Sequence, residues 1–170
     1  MLTGNPGHAV SFDYLGLHRY SLTFCTNYRT RFFTEKSRVD VVFEQILRSA
    51  TENEFGIIAY CFLPDHLHLL VEGLSDVSNG LVFIDRAKQY SGYYFKKAFR
   101  TRLRQRYGFE HTLRDDEAML VVARYILENP VRAGLVARVQ DYPFHGSLTY
   151  PLEQILDAVV MMPPSIKSRG

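Results

Sequence analysis

Apolar positions change their spacing several times along the chain, and each change marks a predicted element. Arg19-Tyr20-Ser21-Leu22-Thr23-Phe24-Cys25-Thr26 is rich in aromatic and β-favouring side chains and predicts a strand. From Ser37 to about Asn53, Val41, Val42, Ile46 and Leu47 share one stripe, which predicts an amphipathic helix. Phe55 to Leu63 predicts a second strand, Pro64-Asp65 a turn, and His66 to Glu72 a third strand, so these two should pair as a hairpin. Leu81 to about Gln105 reads as a long helix with a weak point at Ser91-Gly92. Asp115 to Glu128 reads as another, opened by acidic residues that suit the positive end of a helix. Strands alternating with helices around short turns predict an α+β fold, a small antiparallel sheet flanked by helices.

A chain of 170 residues suits one compact domain. Residues 1–13 are rich in Gly, Pro and polar residues and are expected to form a loose arm, with the domain over 14–150 and a tail over 151–170. Hydrophobic residues at 46% against 22% charged argue for a packed core rather than disorder. No apolar run approaches the roughly 18–20 residues that cross a bilayer. Met1 to Val10 lacks the basic start and continuous apolar stretch of a secretory signal. A cytoplasmic protein with no membrane partner is therefore expected. Cys25 and Cys61 each sit in a strand-like apolar run, which favours buried free thiols over a disulfide.

Charge changes the picture once it is divided along the chain. Between Arg86 and Arg106 lie eight basic residues (Arg86, Lys88, Lys96, Lys97, Arg100, Arg102, Arg104 and Arg106) and no acidic one. The remainder carries the other 12 Lys and Arg against all 18 Asp and Glu. A basic stretch in an otherwise acidic chain is the footprint expected for a polyanion. Tyr90, Tyr93, Tyr94, Phe95 and Phe99 interleave with these cations. Aromatics there suit either base stacking or the buried stripe of a solvated helix.

Two constellations are candidates for chemistry. In Asp65-His66-Leu67-His68, the histidines are two apart on a strand and so project from one face, where two neutral imidazoles can share a divalent cation. The same pattern also describes ordinary sheet histidines. In Arg124-Tyr125-Ile126-Leu127-Glu128-Asn129-Pro130, Tyr125 and Asn129 are four apart on one helical face. A tyrosine hydroxyl becomes a competent nucleophile when a cation polarises the phosphate it attacks, and an asparagine carbonyl suits a hard ion such as Mg²⁺ or Mn²⁺. Against this, Tyr125 fits an amphipathic core position, and Asn129 fits the N-cap of a short helix from Pro130 to Ala133 stopped by Gly134. His111 is a further acid–base or DNA-contact candidate, with a structural role as its alternative. No phosphate-cradling glycine loop, cysteine zinc site or serine–histidine motif is present.

Taken together and in order, the segments 14–20 with Leu22-Thr23-Phe24, 62–71, 109–114 and 125–136 resemble the HUH-type single-tyrosine transposases, in the REP-associated tyrosine transposase branch. The resemblance spans roughly residues 14–148. It implies a ferredoxin-like or RRM-like α+β fold, His66 and His68 as metal ligands completed by Asn129, and Tyr125 as the catalytic tyrosine. It further implies Mg or Mn as cofactor and hairpin-bearing single-stranded DNA, with REP-like palindromes, as substrate. Such DNA would be cut and rejoined through a 5′-phosphotyrosine intermediate. Many relatives carry a tryptophan shortly before the segment matching Phe109-Glu110-His111, whereas this chain has none and places Arg104-Gln105-Arg106 there. The leading expectation is thus a bacterial, nucleoid-associated transposase acting as monomer or homodimer. A domesticated, non-cleaving hairpin-binding protein and a water-using metal phosphoesterase remain as alternatives.

Overall fold

A computed structural model describes residues 13–103, 109–113 and 119–158. The expected arm before Asp13, the last residues of the tail, Arg104, Arg106 and the acidic stretch at Asp115 lie outside the described residues.

The expected hairpin is the centre of the fold. Strand β2 (Phe55–Leu63) turns at Pro64-Asp65 into β3 (His66–Gly73), and β1 (Arg19–Cys25) pairs antiparallel with the far edge of β3. Two edge strands complete a five-stranded antiparallel sheet in the order β4-β1-β3-β2-β5. These are β4 (Phe109–Leu113), whose backbone pairs His111 with Ser21, and the two-residue β5 (His145–Gly146). Periodicity predicts neither, because each is short and depends on a neighbour for its pairing.

The strand alternation divides the sheet into two unlike faces. Leu67, Leu69 and Val71 of β3 join Tyr20 and Leu22 of β1 on the first face, under α1 (Lys36–Glu52) and α2 (Gly80–Phe99). Leu70 of β3, with Ala59, Cys61 and Leu63 of β2, faces the other way into a second cluster. That cluster is closed by Ala123, Ile126 and Leu127 of α3 (Met119–Leu127). A β-bulge between Ile57 and Ala59 lets β2 serve both clusters, since Ile57 belongs to the first while Ile58 and Ala59 belong to the second.

After α3 comes a single turn, α4 (Asn129–Arg132), ended by Gly134 at φ +71° with the Leu135 N–H donating to the Pro130 carbonyl. Residues of the expected tail form α5 (Leu152–Leu156), whose Ile155 is fully buried in the second cluster. Cys25 and Cys61 are both free and buried, as expected.

The basic helix is shorter than its charge pattern predicts. It passes through Ser91-Gly92 unbroken, with the Ser91 hydroxyl donating to the Ala87 carbonyl, and stops at Phe99 instead of continuing to about Gln105. Arg100 caps it in the left-handed conformation, at φ 58°. The chain is then drawn inward, because Leu103 is buried in the first cluster and its carbonyl accepts from the Asn27 N–H. Arg102 therefore lies beyond the helix.

Candidate active site

Both histidines sit on the second face, in register with Leu70, and α3 packs against that same face. Their rings lie 4.8 Å apart and nearly perpendicular. Each is engaged through Nδ1: His66 at 2.6 Å from Asp65 Oδ1, and His68 at 3.0 Å from Thr23 Oγ1. This leaves both Nε2 atoms for a shared ligand. Asp65 is itself held by Arg29, whose Nε donates to Oδ2 at 2.9 Å. Carboxylate-to-histidine support of this kind fixes ring orientation in metal sites. Burial raises the Asp65 carboxyl, but the hydrogen bonds from Arg29 and His66 outweigh it and hold the group below the usual carboxylate range. Burial, joined by the charges of His66, Arg132 and Arg29, pulls His68 from 6.5 down to about 4. A histidine kept neutral is the form that binds a cation.

Among the described residues no group of three or more His, Cys, Asp or Glu side chains is placed to hold a metal. The expected third donor is the Asn129 amide, which no hydrogen bond ties to the histidines among the described residues. Asn129 supplies that amide in a helical position of α4. Its side chain donates to the Ile126 carbonyl at 3.2 Å and makes no N-cap hydrogen bond, so the capping alternative is not what is found. With the NH₂ group occupied, its carbonyl oxygen remains for a ligand. Two nitrogen donors and a neutral oxygen suit a borderline or hard divalent ion whose remaining positions are filled by phosphate or water.

Tyr125 is 61% exposed, so it is not the core residue that its helical spacing also allowed. Its neighbours come from the next turn. The Arg132 guanidinium stacks on the ring at 3.7 Å from its centroid, and Arg132 Nη2 donates to the Tyr125 carbonyl. Glu128 anchors Arg132 at 3.6 Å and Arg124 at 2.7 Å. The Arg132 charge also reaches His68 and Cys61, which ties the tyrosine helix electrostatically to the histidine strand. Burial pushes the Cys61 thiol up to about 12, so it takes no part as a nucleophile. Among the described residues no hydrogen bond joins Tyr125 or Asn129 to either histidine.

The predicted DNA-binding residues lie elsewhere. Arg86, Lys88, Lys96 and Lys97 are on α2, which covers the first face and not the histidine face. Lys88 is half-buried with its ammonium 5.7 Å from the Phe24 ring. Lys88, Lys96 and Arg102, with Tyr93, line a groove of about 400 Å³. Arg100 is exposed at the helix end. Arg29, Thr23 and Arg132 were not singled out from the sequence. Only Arg132 had a readable signal, its place seven residues after Tyr125.

Comparison with known proteins bears on the family and the fold. The family described as IS200-like transposases matches residues 15–129. A Haemophilus influenzae protein named as a REP-associated tyrosine transposase is 33% identical over 101 residues, which span 53% of this chain and 57% of that relative. The structure of a REP-associated tyrosine transposase bound to a REP hairpin superposes with TM-score 0.67 at 22% identity, over 81% of each chain. A Deinococcus radiodurans protein described as a transposase superposes with TM-score 0.51 at 18% identity, covering 75% of this chain and 92% of its own. These likenesses show the same α+β fold, and the family match across two-thirds of the sequence shows that the chain belongs to the IS200-like transposases.

Proposed function

We propose that this protein cuts and rejoins hairpin-bearing single-stranded DNA, with Tyr125 as nucleophile and His66, His68 and Asn129 as the ligands of a Mg or Mn ion. The observation that carries the reading is the shared face: two histidines with open Nε2 atoms lie on the side of the sheet covered by the helix that bears an exposed tyrosine. A divalent ion there would neutralise the phosphate and favour departure of the leaving oxygen.

The chain's own residues do the rest. The Tyr125 hydroxyl gives up its proton as its oxygen attacks phosphorus, forming a P–O bond as the bond to the 3′ oxygen breaks. That oxygen takes up a proton and leaves as a 3′-hydroxyl, while the 5′ phosphate stays on the tyrosine. Phosphodiester energy is thus retained for rejoining, which runs the step in reverse with an incoming 3′-hydroxyl. Arg132 holds the Tyr125 ring and places positive charge beside the same phosphate. Asp65 and Thr23 keep the two imidazoles turned outward. Arg86, Lys88, Lys96, Lys97, Arg100 and Arg102, with Arg104 and Arg106, would contact the DNA backbone away from the reacting bond. The hairpin bound by the structural relative supports that partner. Such a substrate places the protein with DNA in the bacterial cytoplasm, and among the described residues no helix is long and apolar enough to cross a membrane.

The test is covalent capture. End-labelled hairpin DNA is mixed with protein and Mg²⁺ or Mn²⁺ and resolved under denaturing conditions. A protein–DNA band absent from Tyr125→Phe, His66→Ala and chelated samples is expected. Cutting that persists in Tyr125→Phe without an adduct would point to water as nucleophile, and hairpin retention with no cutting to a binding module.

A further inference from the structure

Tyr28 is the most exposed of the large hydrophobic side chains among the described residues, at 87%. Nothing in sequence periodicity singles it out, yet its backbone is unusual. Tyr28 and Arg29 both adopt the left-handed conformation, at φ 52° and 54°, consecutively and without glycine. Each such residue costs about 1 kcal/mol or more, and persists only where its surroundings impose it.

The surroundings are well determined here. The Thr26 N–H donates to the Asp65 carbonyl at 3.0 Å, and the Thr26 hydroxyl lies 2.7 Å from the Thr30 carbonyl. The Thr30 hydroxyl donates to the Asn27 carbonyl at 2.8 Å. This frame turns the tyrosine outward rather than onto either core cluster. Tyr28 has no hydrogen bond or ring partner among the described residues. A turn that needs positive φ and no side-chain packing would ordinarily hold Gly or Asn. A tyrosine there is strained and exposes an apolar ring for no gain in folding.

Its location suggests the gain. On one side, Arg29 reaches Asp65 and lies 3.5 Å from His66 Nδ1, in the proposed metal site. On the other, the Asn27 N–H is bonded to the carbonyl of Leu103, which lines the basic groove with Lys88, Lys96 and Arg102. The Tyr28 turn therefore bridges the cationic groove of one sheet face and the histidine pair of the other. Arg29 and exposed Arg31 follow it in the chain. An exposed aromatic plane followed in the chain by two cations, Arg29 and Arg31, along the path from groove to site, is the chemistry that receives an unpaired base while its phosphates are neutralised.

We infer that Tyr28 is a stacking platform for one unpaired nucleobase of the DNA strand that runs between the α2 groove and the His66–His68 site. The inference rests on the proposed reading of that site. Its test reads binding, so it remains informative even if the protein does not cut.

Hairpin DNAs with a single-stranded flank carry 2-aminopurine at successive flank positions and are titrated with the full chain in the presence of a chelator. Stacking should quench fluorescence strongly at one position. The quench should vanish in Tyr28→Ala and survive in Tyr28→Trp, while affinity for the flanked hairpin falls roughly tenfold in Tyr28→Ala. Binding of a hairpin without a flank should be unchanged. Tyr28→Gly separates function from folding: relief of backbone strain should raise the melting temperature while flank binding weakens. Equal quenching and affinity in wild type and Tyr28→Ala would overturn the inference. So would a Tyr28→Gly protein that loses stability and binding together, since that is the mark of a structural residue.

Discussion

The Arg132 guanidinium lies 3.7 Å from the centroid of the Tyr125 ring, one helical element removed from it in the chain and on the same face as His68. Arg132 also donates to the Tyr125 carbonyl and pairs with Glu128, so the stack is held from two directions. On the proposed reading Tyr125 is the nucleophile, and an exposed side chain samples several rotamers, each wrong one lowering its effective concentration at the phosphate. The stack restricts that sampling without burying the hydroxyl.

Replacing Arg132 should accordingly harm chemistry more than folding. Arg132→Ala is expected to slow adduct formation by roughly tenfold to a hundredfold, with hairpin affinity and melting temperature close to wild type. Arg132→Lys keeps the charge but not the planar stack and should recover only part of the rate. Fluorotyrosine at position 125, followed by ¹⁹F NMR, should shift on Arg132→Ala. An unmoved resonance would count against the stack.

Support of the histidines should be measurable without turnover. Asp65→Ala frees the His66 ring and is expected to weaken Mn²⁺ binding roughly 10- to 100-fold, as read by calorimetry. Thr23→Val should act similarly through His68, at 3.0 Å. Undiminished Mn²⁺ affinity in both variants would place the ion elsewhere.

In metal-free protein His68 should titrate at about 4 rather than near 6.5. Between those values the unfolded chain binds the proton and the folded one does not, so stability falls as pH drops from 6.5 towards 4. Denaturation at a series of pH values should show that loss, and His68→Gln should flatten it.

Salt dependence tests the basic helix. If Lys96 and Lys97 neutralise phosphates, their joint replacement by Ala should reduce the slope of log affinity against log salt by about one for each phosphate left without its lysine. A slope unchanged from wild type would remove α2 from the DNA-binding surface.

Two glycines of α2 should respond oppositely to alanine. A Cβ on Gly80 would meet the buried Tyr20 ring at 2.5 Å, whereas one on Gly92 would meet nothing within 4 Å. Gly80→Ala should destabilise by about 1–3 kcal/mol. Gly92→Ala should stabilise by up to about 1 kcal/mol, the ordinary helix preference. Thermal melts of the two variants compare them directly.

Much of this was legible before the structure. The apolar alternation of β1, β2 and β3 and the stripe of α1 follow from local spacing, which short-range geometry imposes on any sequence. The shared face of His66 and His68 follows from the strand period, whereas Tyr125 and Asn129, expected on one helical face, fall on successive helices, α3 and α4. The edge strands β4 and β5, by contrast, exist only because a paired neighbour supplies their hydrogen bonds. The basic helix ends early because burial of Leu103 overrides a pattern that continues in the charges alone.

What the sequence determined by itself, then, was the three long strands, the main helices and the shared face of His66 and His68, because those depend on residues two to four apart. Tertiary structure decided how the faces meet. It set α3, which bears Tyr125, against the histidine side of the sheet and the cations of α2 on the opposite side. It also put the Tyr28 turn between them, and brought Arg29 to Asp65 across 36 positions. Those relationships depend on how two cores pack on one twisted sheet, and no local spacing encodes them.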